Sequence, residues 1–115
     1  MEIPVNGFFK VERTDKTGEK LYGIYKDGKE VAETKYQGVK IDPQGKGAVL
    51  YGKSDGRRNY KEIYLLDFKN NKTTPFPYSR WGDGDIKNGW VRKVVRNSRG
   101  ADEDEYYDFS GEKVL

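Results

Sequence analysis

The side chains that could do chemistry in this sequence are carboxylates, arginines and aromatic rings, because the chain contains no His and no Cys. The commonest general base, the commonest metal ligand and every thiol nucleophile are therefore excluded. The serines have no His to activate them, so nucleophilic catalysis has no support. A carboxylate pair for glycoside chemistry stays open among the 19 Asp and Glu residues, but none lies in a recognisably apolar segment. We therefore expect a protein that is not an enzyme and that needs no cofactor and no metal.

One set of residues mixes aromatic rings with cations, which is typical of nucleic-acid binding because rings stack on bases and arginines meet phosphates. The same rings could stack on sugars, which makes a carbohydrate-binding module a weaker alternative. A third interpretation places both tryptophans in the core, because an apolar residue stands 42 positions before each of them. The candidate binding face comprises Tyr78, Arg80, Trp81, Trp90, Arg92 and Arg96.

Charged segments give two further candidates. Asp83 and Asp85 lie in a Gly-rich stretch whose oxygens could hold calcium, but the Glu that would close such a loop is missing, so a solvated turn is the expectation. The basic segment 54–61 and the acidic segment 101–105 are predicted to be loops at the same place in successive repeats. Their opposite charges could favour self-association, although exposed charges on loops usually contribute little.

The composition limits the elements that can position these residues. The chain has 115 residues, which fits one domain, with 34% hydrophobic, 36% charged and 14% aromatic residues. Fourteen glycines favour strands and tight turns over helices. No stretch is apolar enough to cross a membrane, and the first residues do not resemble a signal peptide, so the compartment stays open. The net charge of +3 permits an anionic partner without requiring one.

Aromatic and glycine landmarks recur along the chain with a nearly constant period, which indicates a repeat protein. Each unit begins with a Gly and a strand, continues through a polar loop into a strand led by Tyr, and ends with a tight turn and a short polar strand. The sequence predicts a single all-β domain, 1–115, with about 2.7 antiparallel hairpin units at roughly 7–46, 47–88 and 89–115. Landmarks 42 residues apart are Tyr22, Tyr64 and Tyr106, Tyr36 and Tyr78, and Gly47 and Gly89, while Gly7 precedes Gly47 by 40.

The repeated phrase is interpreted as a hairpin. Asp27-Gly28, Asn70-Asn71 and Ser110-Gly111 stand at its tip in the three units, and all three pairs suit a two-residue turn with positive φ. Longer polar loops are predicted at 12–20, 52–62 and 96–105. A hairpin alone is marginal in water, so neighbouring hairpins must stack to bury their apolar faces.

The order of Tyr, Gly, Ile, a Gly-Lys turn and a following Tyr resembles the bacterial WG-repeat family, in which the unit begins with Trp-Gly. Unit two lacks the Gly after its aromatic residue, and no unit has the Trp-Gly pair in the family's place. The resemblance implies an all-β bacterial repeat module that serves as a binding or structural element and carries no catalytic residues. The matching residues are Tyr22, Gly23, Ile24, Gly28, Lys29, Val31 and Tyr36 in unit one, Tyr64 in unit two, and Gly111, Lys113 and Val114 in unit three.

These patterns predict a non-enzymatic interaction module that binds another protein, of the adaptor or inhibitor and immunity type. The alternative is a nucleic-acid-binding β-domain that uses the arginine and aromatic face. Fewer than four units are too few to close a propeller, so an open edge is expected near Val114. That edge is predicted either to pair with the strand after Gly7 or to bind a partner, which includes a second copy of the chain.

Overall fold

The computed structural model describes residues 7–52, 62–76 and 83–114. These residues contain no helix, and every strand pair is antiparallel, which confirms the all-β prediction. The strands are β1 (Phe8–Thr14), β2 (Lys20–Lys26), β3 (Lys29–Tyr36), β4 (Gly38–Ile41), β5 (Gly47–Tyr51), β6 (Ile63–Asp67), β7 (Lys72–Pro75), β8 (Ile86–Lys87), β9 (Trp90–Arg96) and β10 (Asp102–Tyr107).

The strands form three meanders, in which each strand pairs with its neighbours along the chain. The first sheet has the order β1-β2-β3, the middle sheet β4-β5-β6-β7 and the third sheet β8-β9-β10. A strand begins at or directly after Gly7, Gly47 and Gly89, as predicted. However, β4 and β8 pair with the first strand of the following unit. The middle and third sheets therefore each begin one strand before the Gly that opens the predicted unit. The pairings of β4 with β5 and of β8 with β9 each join two successive units.

The repeated tyrosines all lie on the second long strand of their unit, but only two of them share a register. Tyr64 and Tyr106 each pair with the third residue after the Gly of their unit, whereas Tyr22 pairs with the fifth. Ile24 occupies the equivalent place in the first sheet. The register of β2 against β3 is also irregular on both sides of Ile24. The spacing of 42 residues is therefore a structural repeat between the second and third sheets but not between the first and second.

Of the three predicted two-residue turns, the one at Asp27-Gly28 is confirmed, whereas those at Asn70-Asn71 and Ser110-Gly111 belong to longer connections. Asp27 and Gly28 have φ values of 52° and 76°, as a two-residue type I′ turn requires. The second predicted turn is longer, since four residues, 68–71, connect β6 to β7. A further two-residue turn with positive φ at both positions, Asn88-Gly89, connects β8 to β9. Gly89 is therefore the second residue of a turn as well as the residue that directly precedes a strand.

Four other connections share one five-residue form that the sequence reading missed. An Asp or Asn side chain accepts backbone N–H bonds from the residues two and four positions later, and a Gly with positive φ stands at the fourth position. This closure is tight, so the strands extend into the predicted loops: β1 continues to Thr14, and most of the acidic segment 101–105 lies in β10. The prediction of long loops at 12–20 and 96–105 is therefore wrong. We call these connections Asx-Gly turns; they span 15–19, 42–46, 97–101 and 108–112.

The core lies on both faces of the middle sheet. All five residues of β5 are buried, and their side chains alternate between two clusters. The cluster that contains Ala48 and Leu50 includes residues of the first sheet, and the cluster that contains Val49 and Tyr51 includes residues of the third. The middle sheet is therefore sandwiched between the other two. The buried members are Phe8, Ile24, Ala32, Val39, Ala48, Leu50 and Leu66 on one face, and Val49, Tyr51, Ile63, Leu65, Phe76, Val91 and Phe109 on the other.

Candidate functional site

The residues of the predicted arginine and aromatic face are described only in part. Tyr78, Arg80 and Trp81 lie outside the described residues. Trp90, Arg92 and Arg96 lie at alternating positions of β9, so they point to the same face of that strand.

Carboxylates lie beside the two described arginines of this face. The Arg92 guanidinium lies 3.0 Å from the Asp104 carboxylate and 3.7 Å from that of Asp85. The hydrogen bond to Asp104 is the main reason why the pKa of Arg92 is raised above its ordinary value. Arg96 is exposed, and Asp102 lies opposite it in the ladder. The strand therefore presents paired charges rather than a continuous positive stripe.

Trp90 and Ala48, which stands 42 positions earlier, differ in burial. Ala48 has no exposed surface, because it lies between the first and middle sheets. Trp90 occupies the same position in the third sheet but is only half-buried. The ammonium group of Lys46 lies 4.8 Å from the centre of the Trp90 ring. The tryptophan is thus a partly exposed ring with a cation over it.

The two carboxylates considered for calcium are each held by a cation of the chain. Asp83 is 2% exposed, and its carboxylate lies 2.7 Å from the Lys93 ammonium group and accepts the backbone N–H of Val94 at 2.7 Å. Asp85 lies 3.1 Å from the Lys40 ammonium group. Within ranges 7–52, 62–76 and 83–114, no three acidic side chains come together as a metal site would require.

A groove of about 730 Å³ lies between β3 of the first sheet and the β6-β7 side of the middle sheet. Its aromatic wall is formed by Tyr36 and Tyr64, whose ring centres are 6.3 Å apart at an interplanar angle of 61°. The sequence reading noted both tyrosines only as repeat landmarks, because their separation of 28 residues gives no sign that the rings meet. We call this feature the tyrosine groove; it is lined by Leu21, Val31, Ala32, Leu50, Gly52 and Thr73 as well as by these tyrosines and the charged residues described next.

The rim of the tyrosine groove is acidic. Glu19, Glu33 and Glu62 line it together with a single cation, Lys35, and all four are exposed. The Gln37 side-chain amide donates to Glu19 at 2.6 Å, and the Lys35 ammonium group lies 3.7 Å from Glu33.

The tyrosines of the groove are coupled to this rim. The Tyr64 hydroxyl donates to Glu62 at 3.2 Å. Burial raises the pKa of Tyr64, and the neighbouring Glu62 carboxylate raises it further. The pKa of Tyr36 is raised mainly by burial. Both hydroxyls therefore stay protonated at neutral pH and act as hydrogen-bonding groups.

Open sheet edges flank the tyrosine groove. β3 is the last strand of the first sheet and β7 the last strand of the middle sheet, and neither outer edge pairs with another strand in the described part of the chain. An unpaired edge presents backbone N–H and C=O groups to any extended segment beside it.

The edge at Val114 is also open on the residues that the structure describes. Lys113 bridges to Tyr107, and the Val114 backbone N–H donates to Tyr106, so these residues extend the third sheet beyond β10. The predicted pairing with the strand after Gly7 is wrong, because the middle sheet separates β1 from the third sheet. The alternative, that this edge binds a partner, stays a prediction.

The comparisons with known proteins do not identify a relative. No family model matches the chain, and no curated protein or solved structure matches it either. The resemblance to the WG-repeat family therefore rests on the sequence motifs alone and stays a prediction. Across the described residues, nothing has the length and apolar character that a membrane-spanning helix needs.

Proposed function

We propose that this domain is a non-enzymatic protein-binding module and that the tyrosine groove accepts an extended, basic segment of another protein. The observation that carries the proposal is the position of the groove, which lies beside an edge of β3 that no described strand covers. An extended segment in that place adds a strand to the first sheet, and its backbone bonds supply affinity without any requirement on its sequence.

Charge supports a basic occupant. The rim carries three carboxylates and one ammonium group, whereas the whole chain has a net charge of +3. A locally acidic groove on a basic chain attracts cations and repels acidic segments, which gives selectivity between partners.

The tyrosines support the same kind of occupant. Lysine and arginine side chains combine an apolar stem with a cationic end. The rings of Tyr36 and Tyr64 offer a surface for such stems, and cations bind favourably over aromatic faces. The non-enzymatic part of the proposal is supported by the absence of His and Cys from the sequence.

The arginine and aromatic face gives the nucleic-acid alternative no comparable support. Arg92, at its centre, already has two carboxylates within 4 Å. A phosphate would have to compete with both of them for the guanidinium.

The test uses a fluorescent octapeptide of alternating Lys and Val, with binding followed by fluorescence anisotropy. We expect the double variant Glu33→Gln and Glu62→Gln to bind it about 2- to 30-fold more weakly, because each exposed ion pair contributes about 0.2–1 kcal/mol. The matched control is Glu12→Gln, which removes an exposed carboxylate from β1 at the opposite edge of the same sheet. The control variant should bind like the unmodified chain.

Two further probes separate strand addition from simple charge attraction. The same peptide with a methylated backbone keeps its charges but cannot donate hydrogen bonds to a sheet edge, so it should bind more weakly. A Glu-Val octapeptide should not bind. Equal affinity for the methylated and unmethylated peptides, or equal losses in the groove and control variants, would contradict the proposal. Light scattering without peptide reports whether a second copy of the chain occupies the groove instead.

A further inference from the structure

A second groove, of about 560 Å³, lies where strand ends and turns of all three sheets meet. Its lysines come from three different elements: Lys26 ends β2, Lys46 precedes β5 and Lys69 follows β6. Trp90 at the start of β9 lies in the same groove. We call this feature the lysine pocket.

The three lysines are exposed, and they outnumber the two carboxylates that line the same pocket. None of them takes part in an ion pair with a carboxylate of the described chain. Two of them lie over rings instead: the Lys26 ammonium group is 4.6 Å from the centre of Phe8, and that of Lys46 is 4.8 Å from the centre of Trp90.

The carboxylates that line the pocket are engaged with their own turns. Asp67 accepts the backbone N–H of Lys69 at 3.0 Å and a hydrogen bond from the Asn70 side chain at 2.9 Å. Asp108 accepts the backbone N–H groups of Ser110 and Glu112. These bonds orient the carboxylates towards the loop backbones, so the lysines remain the cations available to a ligand.

Aromatic surface lies beside these cations. Phe68 is half-buried and stacks on Phe8 with ring centres 3.8 Å apart, and Trp90 is half-buried across the groove. Gly89 leaves room for this arrangement. A Cβ atom at that position would lie 2.9 Å from the Gln44 side-chain oxygen and 3.1 Å from the Lys46 ammonium group. A side chain at position 89 would therefore require the ends of these two flexible side chains to shift slightly.

We propose that the lysine pocket binds single-stranded nucleic acid. Proteins hold single strands without strong sequence preference through two components, which are cations that contact phosphates and aromatic rings on which bases stack. The pocket is independent of the tyrosine groove, since its charge is opposite and its residues are different. Failure of either proposal therefore leaves the other in place.

The test follows binding of a fluorescein-labelled dodecamer of thymidine by anisotropy between 25 and 200 mM NaCl. Three phosphate contacts predict a slope of about −2 in a plot of log affinity against log salt for a single strand. The double variant Lys26→Glu and Lys46→Glu should bind about tenfold or more weakly at low salt and flatten the slope. The matched control is Lys16→Glu, which makes the same charge change in an exposed turn. This turn follows the C-terminal end of β1, whereas the pocket lies at the N-terminal end of that strand.

Indole fluorescence reports stacking separately from charge. The chain has two tryptophans, so quenching by the dodecamer should be lost in Trp90→Phe and retained in Trp81→Phe. Circular dichroism and thermal melting confirm that each variant is folded. No binding at 25 mM salt would overturn the proposal, as would equal losses in the pocket and control variants. Equal binding of a polyglutamate peptide without quenching would also overturn it, because the pocket would then select charge rather than nucleic acid.

Discussion

Asp83 and Lys93 form an ion pair unlike the others in the described residues. Their side chains are 0% and 15% exposed, whereas the other pairs keep at least 24% of each side chain exposed. The Asp83 carboxylate also accepts the backbone N–H of Val94, and the Lys93 ammonium group lies 6.0 Å from the centre of the Phe76 ring. A buried pair of this kind is costly to break, because the remaining charge loses its compensation.

We expect Asp83→Asn to lower the free energy of unfolding by about 3 kcal/mol, at the lower end of the range for broken buried pairs because Lys93 keeps some contact with water. Lys93→Met should cost at least as much, since it removes a cation from a carboxylate whose side chain is fully buried. The double variant should lose much less than the sum. Urea unfolding of the single and double variants gives the coupling energy directly.

The exposed pair of Glu105 and Lys113 is the control for this experiment. Its partners lie 2.6 Å apart but are 24% and 53% exposed. The corresponding cycle with Glu105→Gln and Lys113→Met should give a coupling of less than about 1 kcal/mol. Similar coupling energies for the two pairs would contradict the interpretation that burial makes the first one important.

At the scale of elements, the Asx-Gly turn decides where strands begin and end. Three of the four turns use Asp, and one uses Asn97, which accepts the backbone N–H groups of Arg99 and Ala101 at 2.9 and 3.0 Å. The charged Asp side chain and the neutral Asn side chain therefore close the turn with the same pair of backbone hydrogen bonds. They differ in their response to pH, because only the carboxylate titrates.

Asp108 allows this difference to be measured. Burial acts to raise its pKa, but the hydrogen bonds from Ser110, Glu112 and Gly111 together outweigh burial, so its pKa lies below the ordinary value. A carboxyl group whose pKa is lowered in the folded state adds stability above its unfolded pKa, and this contribution is lost as pH falls through the folded pKa. Acid should therefore weaken the turn at Asp108 but not the turn at Asn97.

We expect Asp108→Asn to be less stable than the unmodified chain at pH 7, and the difference to shrink as the pH falls from about 5 to about 2. The reciprocal change, Asn97→Asp, should introduce additional acid sensitivity at the other turn. Urea midpoints at pH 7, 5, 3 and 2 measure both effects. A stability difference for Asp108→Asn that stays constant across this range would refute the assignment.

For the whole molecule, the three sheets do not contribute equally. The middle sheet packs on both faces, whereas the clusters of the first and third sheets join them to the middle sheet on one side only. Strands with more buried neighbours open less readily, because opening them must expose both clusters to water.

We expect the backbone amides of β5 and β6 to exchange with deuterium most slowly, and those of β1 and β10 to exchange at least about tenfold faster, because outer strands open locally without global unfolding. Hydrogen exchange followed by nuclear magnetic resonance resolves individual amides. Leu65→Ala, which removes a buried side chain from the middle sheet, should reduce protection in all three sheets and cost about 2–5 kcal/mol. Equal protection of all the strands in the unmodified chain would contradict the sandwiched arrangement.

The sequence by itself determined the all-β class, the strands after Gly7, Gly47 and Gly89, and the type I′ turn at Asp27-Gly28. These features depend on residue types within a few positions, because alternation, φ preference and hairpin closure are local properties. The Asx-Gly turns were also encoded locally, in an Asp or Asn followed three residues later by Gly. The polar composition of the same segments is equally typical of long loops.

Only the tertiary structure decided which surfaces are buried and which distant side chains meet. Ala48 and Trp90 hold the same place in the repeat, yet one lies between two sheets and the other is half-exposed in the third. Lys46 reaches Trp90 across 44 residues, and Tyr36 meets Tyr64 across 28. Such contacts depend on how separate sheets stack. Stacking is set by the burial of whole faces rather than by any short run of residues.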